Sequence, residues 1–511
     1  MHPILIAAAF VLNMGLENEV ALGGMARPLA VAVGAASALT ALGWLLLRNR
    51  WDGALAALAV VVLVIGAYPG FLAWRAVTQT LGSAVSGGIG AALLVAAVGA
   101  PAMLALRARH RNRPFPRPAA GVLNLFSLLL IGVVVLAQTG PDVVAQIGRP
   151  ATLDTAQEDA DASSSAPDIY VIMLDAYPRA DVLHRRFAFD NSGFLRDLRA
   201  RDFSVAEDSH SNYVFTQLTM ASMMQMRHVD EIAALQPLVG HAGVHHARLR
   251  ETINRGGAIG LLREAGYEIV ALPSGYEHVA LREASDHYLD HGQLTDLERS
   301  LLERTPILDL LSAVDPYFFA NSQRDRIALA FDDLDALATS PRHRPRFVFA
   351  HLPAPHLPFV VDTNGGTVPL VSRHFDLFAP EAIGLTDKEF TAAYLNELSY
   401  LNRRIVQVVD HLLASPSPSP VVVIMSDHGW TFSGSKDQPG RFANLFATYT
   451  PEAAGLLDDA TPVNVMSMVL NRYLSTDLPI AANRYFLSPP DSMQMMQISE
   501  IADPDHLEAI P

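Results

Sequence analysis

The run VVVIMSDHG (421–429) is apolar for five residues and then stops on Ser426, Asp427 and His428. A short, unbroken, β-branched run of this kind reads as a strand buried on both faces, the type found in parallel sheets. A carboxylate beside an imidazole just beyond such a strand is costly unless it is solvated, paired or metal-bound. Taken alone, Asp-His-Gly is equally a polar turn. The run IYVIMLD (169–175) has the same form and ends on Asp175, which alone would equally serve as a helix cap. A third, RFVFAHLPAPH (346–356), carries His351 and His356 past its apolar end. Open α/β sheets bind ligands at the carboxyl ends of their strands. Asp175 with Asp427 and His428 is a hard-oxygen and imidazole set, suited to one zinc or manganese ion.

Outward from these runs, strands and helices alternate. NSGFLRDLRARD (191–202) has the spacing of an amphipathic helix and precedes the short run FSVA. GGAIGLLREAGYEIVALP (256–273) reads as helix, turn and strand. Residues 386–415 form one long helical pattern, with Thr386 as a cap ahead of acidic residues, and SPSPSP (415–420) ends it. NLFATYTP (444–451) is a further strand and TPVNVMSMVLNRYL (461–474) a capped helix. This alternation predicts an α/β domain over 168–490, with a mostly parallel sheet flanked by helices. His241, His245 and His246 lie in GHAGVHHARLR, which reads more readily as a solvated loop than as a metal site. Tyr177-Pro178-Arg179 would shape a pocket mouth. The tail 491–511 shows no chemistry and no fixed structure is expected of it.

The front of the chain is different in kind. Half of the 511 residues are hydrophobic and the net charge is −15. Residues 1–140 nevertheless hold nine arginines against three acids, Glu17, Glu19 and Asp52, a net of +6, which leaves −21 for the rest. The runs 28–47, 53–73, 84–106 and 119–138 carry no charge. Each approaches the ~20 residues that cross a bilayer. Residues 3–16 are apolar but short. The expectation is a bundle of four or five transmembrane helices over 1–139 and a polar linker over 140–167. Arg48 and Arg50, and the cluster RARHRNRPFPR (107–117), put their loops in the cytoplasm. The loops holding Glu17, Glu19, Arg27 and Arg75 then face outward, as does everything after the last span. The acidic balance argues against a nucleic-acid partner. No ionisable residue interrupts the four apolar runs, which disfavours a channel or transporter.

The site needs a nucleophile. The chain has no cysteine. NYVFTQLTMASMMQM (212–226) supplies Thr216, Thr219 and Ser222 three residues apart, on one helical face. Such hydroxyls commonly bond back to carbonyls. Thr216 begins the helical pattern, where free N–H groups and the helix dipole favour an anion.

The order Asp175, Thr216, His356, Asp427-His428 resembles the sulfatase-like branch of the alkaline phosphatase superfamily. It is most similar to the membrane-anchored bacterial members, including phosphoethanolamine transferases and lipoteichoic acid synthases. The resemblance runs over 168–490 and rests on APDIYVIMLDAYPRAD, SNYVFTQLTMASMM, FVFAHLPAPHLPFVVD, VVVIMSDHGW, RFANLFATY and TPVNVMSMVLNRYL, in the family's order. It implies an alkaline-phosphatase-like domain and a divalent metal, zinc or manganese, on Asp175, Thr216, Asp427 and His428. It implies Thr216 as nucleophile and His356 as contact to the anionic group or proton donor to the leaving oxygen. His351 and Arg441 would join the substrate rim. A strand-end histidine and a surface arginine are equally good descriptions of those two. The resemblance further implies a lipid or glycan substrate at the membrane surface, with the catalytic domain outside a bacterial inner membrane. Two features depart from true sulfatases. The Cys/Ser-x-Pro-x-Arg signature is absent, and Ala176 stands where a second acid would follow Asp175. Phosphoester transfer or hydrolysis is therefore expected, with sulfuric-ester hydrolysis or a non-catalytic envelope-assembly module as alternatives.

Overall fold

The computed structural model describes residues 2–47, 57–58, 60–61, 166–243, 245–305, 307–368, 386–414, 418–430, 439–458, 460–489 and 492–507. The chain divides into two units. The first comprises Met1–Ala156 and Thr295–Pro316, the second Gln157–Leu294 and Tyr317–Pro511.

The second unit is built on seven strands: β1 (Ile169–Leu174), β2 (Ser204–Val205), β3 (Glu268–Leu272), β4 (His287–Tyr288), β5 (Arg346–Leu352), β6 (Val421–Ser426) and β7 (Phe446–Tyr449). Their order is β2-β7-β6-β1-β5-β3-β4. β1 pairs in parallel with both β5 and β6, and β3 in parallel with β5 and β4. The edge formed by β7 and β2 is antiparallel. All six residues of β1 are buried, as are all of β5 and β6. Ile169, Val171 and Met173 join one core cluster with Phe347, Phe349, Val421, Val423 and Met425. The alternate residues Tyr170, Ile172 and Leu174 are buried as well, so neither face of the central strand meets water. This accounts for the unbroken apolar runs.

Helices α5 (Thr216–Gln225), α6 (His246–Asn254), α7 (Gly257–Glu264) and α12 (Pro462–Leu474) contribute to that cluster. Of the intervening helices, α10 (Phe318–Thr339) packs on β5 and on α11 (Asp387–Leu413). Thr386 caps α11 with a reciprocal bond to Glu389, the expected signal. The mostly parallel sheet flanked by helices is as the sequence predicts. The tail is a correction: β9 (Ser499–Ile501) pairs with β8 (Tyr485–Leu487), and Met495 and Met496 are buried. Two methionines in the core hold a segment whose polar composition gave no periodic signal.

In the first unit, α1 (His2–Glu17) and α2 (Leu22–Leu47) pack together. α2 starts ahead of the apolar run 28–47 and takes in Arg27 and Pro28. Leu22–Leu45 is long and apolar enough to cross a membrane, whereas α1 is shorter than that. The expected spans 53–73, 84–106 and 119–138, and the linker 140–167, lie outside the described residues apart from a few positions. Nothing in the pattern of residues 295–316 announces that Thr295–Pro316 leaves the 168–490 domain. It forms α8 (Asp296–Glu303) and α9 (Ile307–Val314) within the first unit.

Phe347 is fully buried in β5, between β1 and β3. Phe347→Ala is expected to cost about 3–5 kcal/mol by leaving a cavity under the sheet. Denaturant unfolding of the full chain measures it; a loss under about 1 kcal/mol would contradict this packing.

Candidate metal centre

The register places Leu174 opposite both Leu352 and Ser426, so β5, β1 and β6 end at one level. Asp175 follows at once, its N–H donating to the carbonyls of Leu352 and Ala354 at 3.1 Å each. Ala176 then takes a left-handed conformation, φ 59°. A residue with a Cβ pays about 1–2 kcal/mol there. The turn directs the Ala176 N–H to Oδ1 of Asp427 at 3.0 Å. Ser426 ties the two strand ends together: its hydroxyl accepts from the Tyr177 N–H at 2.8 Å and donates to the His428 carbonyl at 2.6 Å. Asn444 donates to the Ser426 carbonyl at 2.7 Å.

These bonds leave a specific remainder. Oδ1 of Asp427 is taken by the N–H groups of Ala176 and His428, while its Oδ2 is buried without a partner. Oδ1 of Asp175 is likewise buried and unpartnered. Nδ1 of His428 lies 3.0 Å from the Gly429 carbonyl and donates to it. That places a proton on Nδ1 and turns Nε2 toward the two carboxylates. Nε2 is 3.4 Å from Oδ2 of Asp427 and 3.9 Å from Oδ1 of Asp175. The three side chains offer one ligand atom each, all within 4.8 Å of one another and all buried. Two unpartnered carboxylate oxygens converging with an imidazole nitrogen fit a divalent cation. Without one, burial first and the Asp427 carboxylate second push the Asp175 carboxyl well above its usual range, against a smaller opposing pull from His428.

Thr216 opens α5, its N-cap Phe215 in extended conformation with no side-chain cap. Among the described residues its hydroxyl has no hydrogen-bond partner, and the residue is partly exposed. Thr219, one turn on, donates to the Asp427 carbonyl at 3.0 Å, which ties α5 to the strand end. Ser222 donates to Arg227 and faces away from the chemistry. The common fate of helical hydroxyls, bonding to carbonyls, thus applies to the second and third of the series and not to the first.

His351 is buried at the end of β5 with neither ring nitrogen hydrogen-bonded. Burial pushes its imidazole down to about 4, against the pull of Asp427. His356 is half-buried, and its Nδ1 donates to the Leu357 carbonyl at 3.0 Å. Burial also lowers its pKa, opposed by that bond and by Asp427. Both rings therefore lie within the field of the Asp427 carboxylate. Arg441 is buried rather than on the surface. Its carbonyl accepts from the Gly429 N–H at 2.8 Å, and its guanidinium reaches the Ser488 carbonyl at 3.4 Å. Burial brings it down to about 10. His241 is exposed, but His246 opens α6 with its Nδ1 2.8 Å from the Gln217 side-chain oxygen, so the solvated loop expected here gives way to a helix. Tyr177 is buried, its hydroxyl donating to Asn402, so it belongs to the packing and not to a pocket mouth.

Sequence reasoning missed Ser426, Asn444 and Glu397. Ser426 stands inside the quoted SDHG, and its signal was a hydroxyl in the last position of a buried strand. Glu397 is fully buried on α11 and accepts from the Val360 and Val361 N–H groups at 2.7 and 3.0 Å. It thereby fixes the segment that follows His356. Burial, against those two bonds, raises its carboxyl to about 8.

No family model and no curated protein matches the chain. Solved structures do. A putative sulfatase from Bacteroides thetaiotaomicron VPI-5482 is 13% identical over 61% of this chain and 72% of its own, with a TM-score of 0.43. A 2-O GAG sulfatase is 15% identical over 61% of this chain and 72% of its own, with a TM-score of 0.42. The C-terminal periplasmic domain of EcEptC from Escherichia coli, in complex with Zn, is 12% identical over 68% of this chain and 95% of its own, with a TM-score of 0.41.

Two predictions follow from the geometry. At Gly429 a Cβ would overlap the backbone oxygens of Gly440 and Ala443, which cannot step aside. Gly429→Ala should cost about 1–3 kcal/mol or more in thermal unfolding and disrupt the Asp427-His428 turn; an unchanged melting temperature would refute this close approach. The second concerns pH. In chelator, folded Asp175 keeps a proton that the unfolded chain, with a carboxyl near ~4, has lost. Its contribution to stability therefore falls as pH rises through that window. Asp175→Asn should lose less stability than wild type between about pH 5 and 7 in chelator. Parallel melting curves across the pH series would contradict the assignment.

Proposed function

We propose that the chain is a membrane-anchored, extracytoplasmic, metal-dependent phosphoester hydrolase or phosphotransferase. The observation that carries the reading is the convergence of the unpartnered Asp175 Oδ1 and Asp427 Oδ2 with the His428 ring beside the helix that begins with Thr216. Asp175, Asp427 and His428 would hold a divalent zinc or manganese ion, with Thr216 completing the set. Such an ion supplies positive charge that offsets a transferred anionic group and favours the ionised hydroxyl.

The chain's own residues then divide the work. The Thr216 hydroxyl attacks phosphorus; a Thr216 Oγ–P bond forms as the ester P–O bond breaks, and the proton lost by the hydroxyl passes through solvent to the leaving oxygen. The start of α5 would add the positive end of its helix dipole to the stabilisation of negative charge there. His356 donates through Nδ1 to Leu357, which makes Nε2 of its neutral ring an acceptor. Its lowered pKa keeps it in that form at neutral pH. It is therefore suited to take the proton from an incoming hydroxyl in the second step, when the acceptor's P–O bond forms and the Thr216 bond breaks. The ring then carries a proton that the next leaving oxygen can take. His351, neutral at physiological pH and without hydrogen bonds, and Arg441 would line the substrate rim.

The apolar helix Leu22–Leu45 supports a membrane anchor, and with it a lipid or glycan substrate at the bilayer surface. The missing cysteine and the missing Ser-x-Pro-x-Arg signature favour phosphoester over sulfuric-ester chemistry.

Thr216→Ala is expected to lower aryl phosphate hydrolysis by about a thousandfold or more while leaving the melting temperature within a few degrees. Full activity in that variant would refute the nucleophile. Faster turnover of aryl sulfate than aryl phosphate by the wild type would favour the sulfuric-ester alternative.

A further inference from the structure

The segment Thr295–Pro316 departs from the α/β unit and packs within the first unit. It is a helical hairpin. Thr295 caps α8 with a reciprocal bond to Glu298, so the hairpin has its own start signal. Leu297 and Leu301 are buried in one cluster with Val11, Met14, Val20 and Met25, around the α1–α2 turn. Charge fixes the seat. Arg27 forms a two-pronged pair with Glu298, its Nε donating to Oε1 at 2.6 Å, and Arg304 lies 3.8 Å from Glu17. The hairpin therefore sits at the charged end of an otherwise apolar helix pair.

α9, ILDLLSAV, exposes an apolar side. Leu308 and Ser312 are buried. Ile307 and Val314 are 41% and 88% exposed, and their spacing of seven puts them on one face two turns apart. That exposed face is continuous in character with α2, on which Leu22 and Val31 are 75% and 65% exposed. A water-facing α9 would carry its polar residues there instead.

We propose that α9 lies in the head-group layer of the membrane that α2 crosses, with Ile307 and Val314 turned into the lipid. This rests on the membrane anchoring proposed above and goes beyond it, since it assigns a lipid contact to a segment encoded within the α/β domain's sequence. Its level follows from the ion pairs: Glu17, Arg27, Glu298 and Arg304 belong where the hydrocarbon ends. That level favours lipid as the occupant, because the exposed Ile307 and Val314 share it with the end of the apolar helix Leu22–Leu45. Residues 295–316 hold five acids and two arginines, so the lipid that fits is zwitterionic, an anionic surface being repelled.

The chain lacks cysteine, so a single introduced thiol carries a unique label. Val314→Cys, Ile307→Cys and, on α2, Leu42→Cys are each labelled with a fluorophore in the full chain and placed in phosphatidylcholine nanodiscs. Brominated and unbrominated lipids are then compared. The expected result is quenching at all three positions. At 307 and 314 it is stronger with bromine high on the acyl chain than deep, and at 42 the order is reversed or equal. If Leu42 is quenched and neither 307 nor 314 is, α9 is covered by protein, whether a second copy or another part of this chain, and the inference is overturned. If 307 and 314 quench best with deep bromine, the head-group placement is overturned. If Leu42 is not quenched either, the membrane anchor itself fails and the inference falls with it.

Discussion

Two buried carboxylate oxygens, Oδ1 of Asp175 and Oδ2 of Asp427, lie without hydrogen-bond partners at the carboxyl ends of β1 and β6, with Nε2 of His428 beside them. A low-dielectric surrounding makes two such carboxylates costly to ionise together without a cation. The local structure maintains this arrangement at a cost. Ala176 is held left-handed, Gly429 is pressed against backbone, and Oδ1 of Asp427 and the Ser426 hydroxyl are both hydrogen-bonded within the turn. Such selective satisfaction is characteristic of a site that awaits a charge.

Much of this was legible in the sequence because the relevant signals are local. Apolar runs that end abruptly on Asp or His mark the rim of a parallel sheet, and the register then brings the three rims level. Thr386 with Glu389 gave a helix start for the same reason. What stayed hidden depends on long-range partners. Glu397 reads as one more acid on an amphipathic helix, and only folding places it under Val360 and Val361. Arg441 reads as a surface arginine, yet it is buried, since its carbonyl is needed by Gly429. The tail's Met495 and Met496 are apolar residues without a period, so nothing announced their place in the core.

The hairpin of α8 and α9 belongs with that second group. Its sequence is an ordinary amphipathic pattern, and its membership in the first unit rests on Leu297, Leu301 and the Arg27–Glu298 pair, partners some 270 residues apart in the chain. The acidic total conceals this arrangement as well. Residues 141–511 carry a net −21, so an anionic substrate of the proposed kind would meet positive charge from a bound ion and nearby side chains, not from the surface field.

The most direct test is elemental analysis of the full chain purified without chelator, alongside Asp427→Asn and Asp175→Asn. The account predicts about one divalent ion per wild-type chain and its loss from both variants. A metal-free wild type with normal stability and full phosphoester turnover would contradict it, as would an undiminished metal content in both variants.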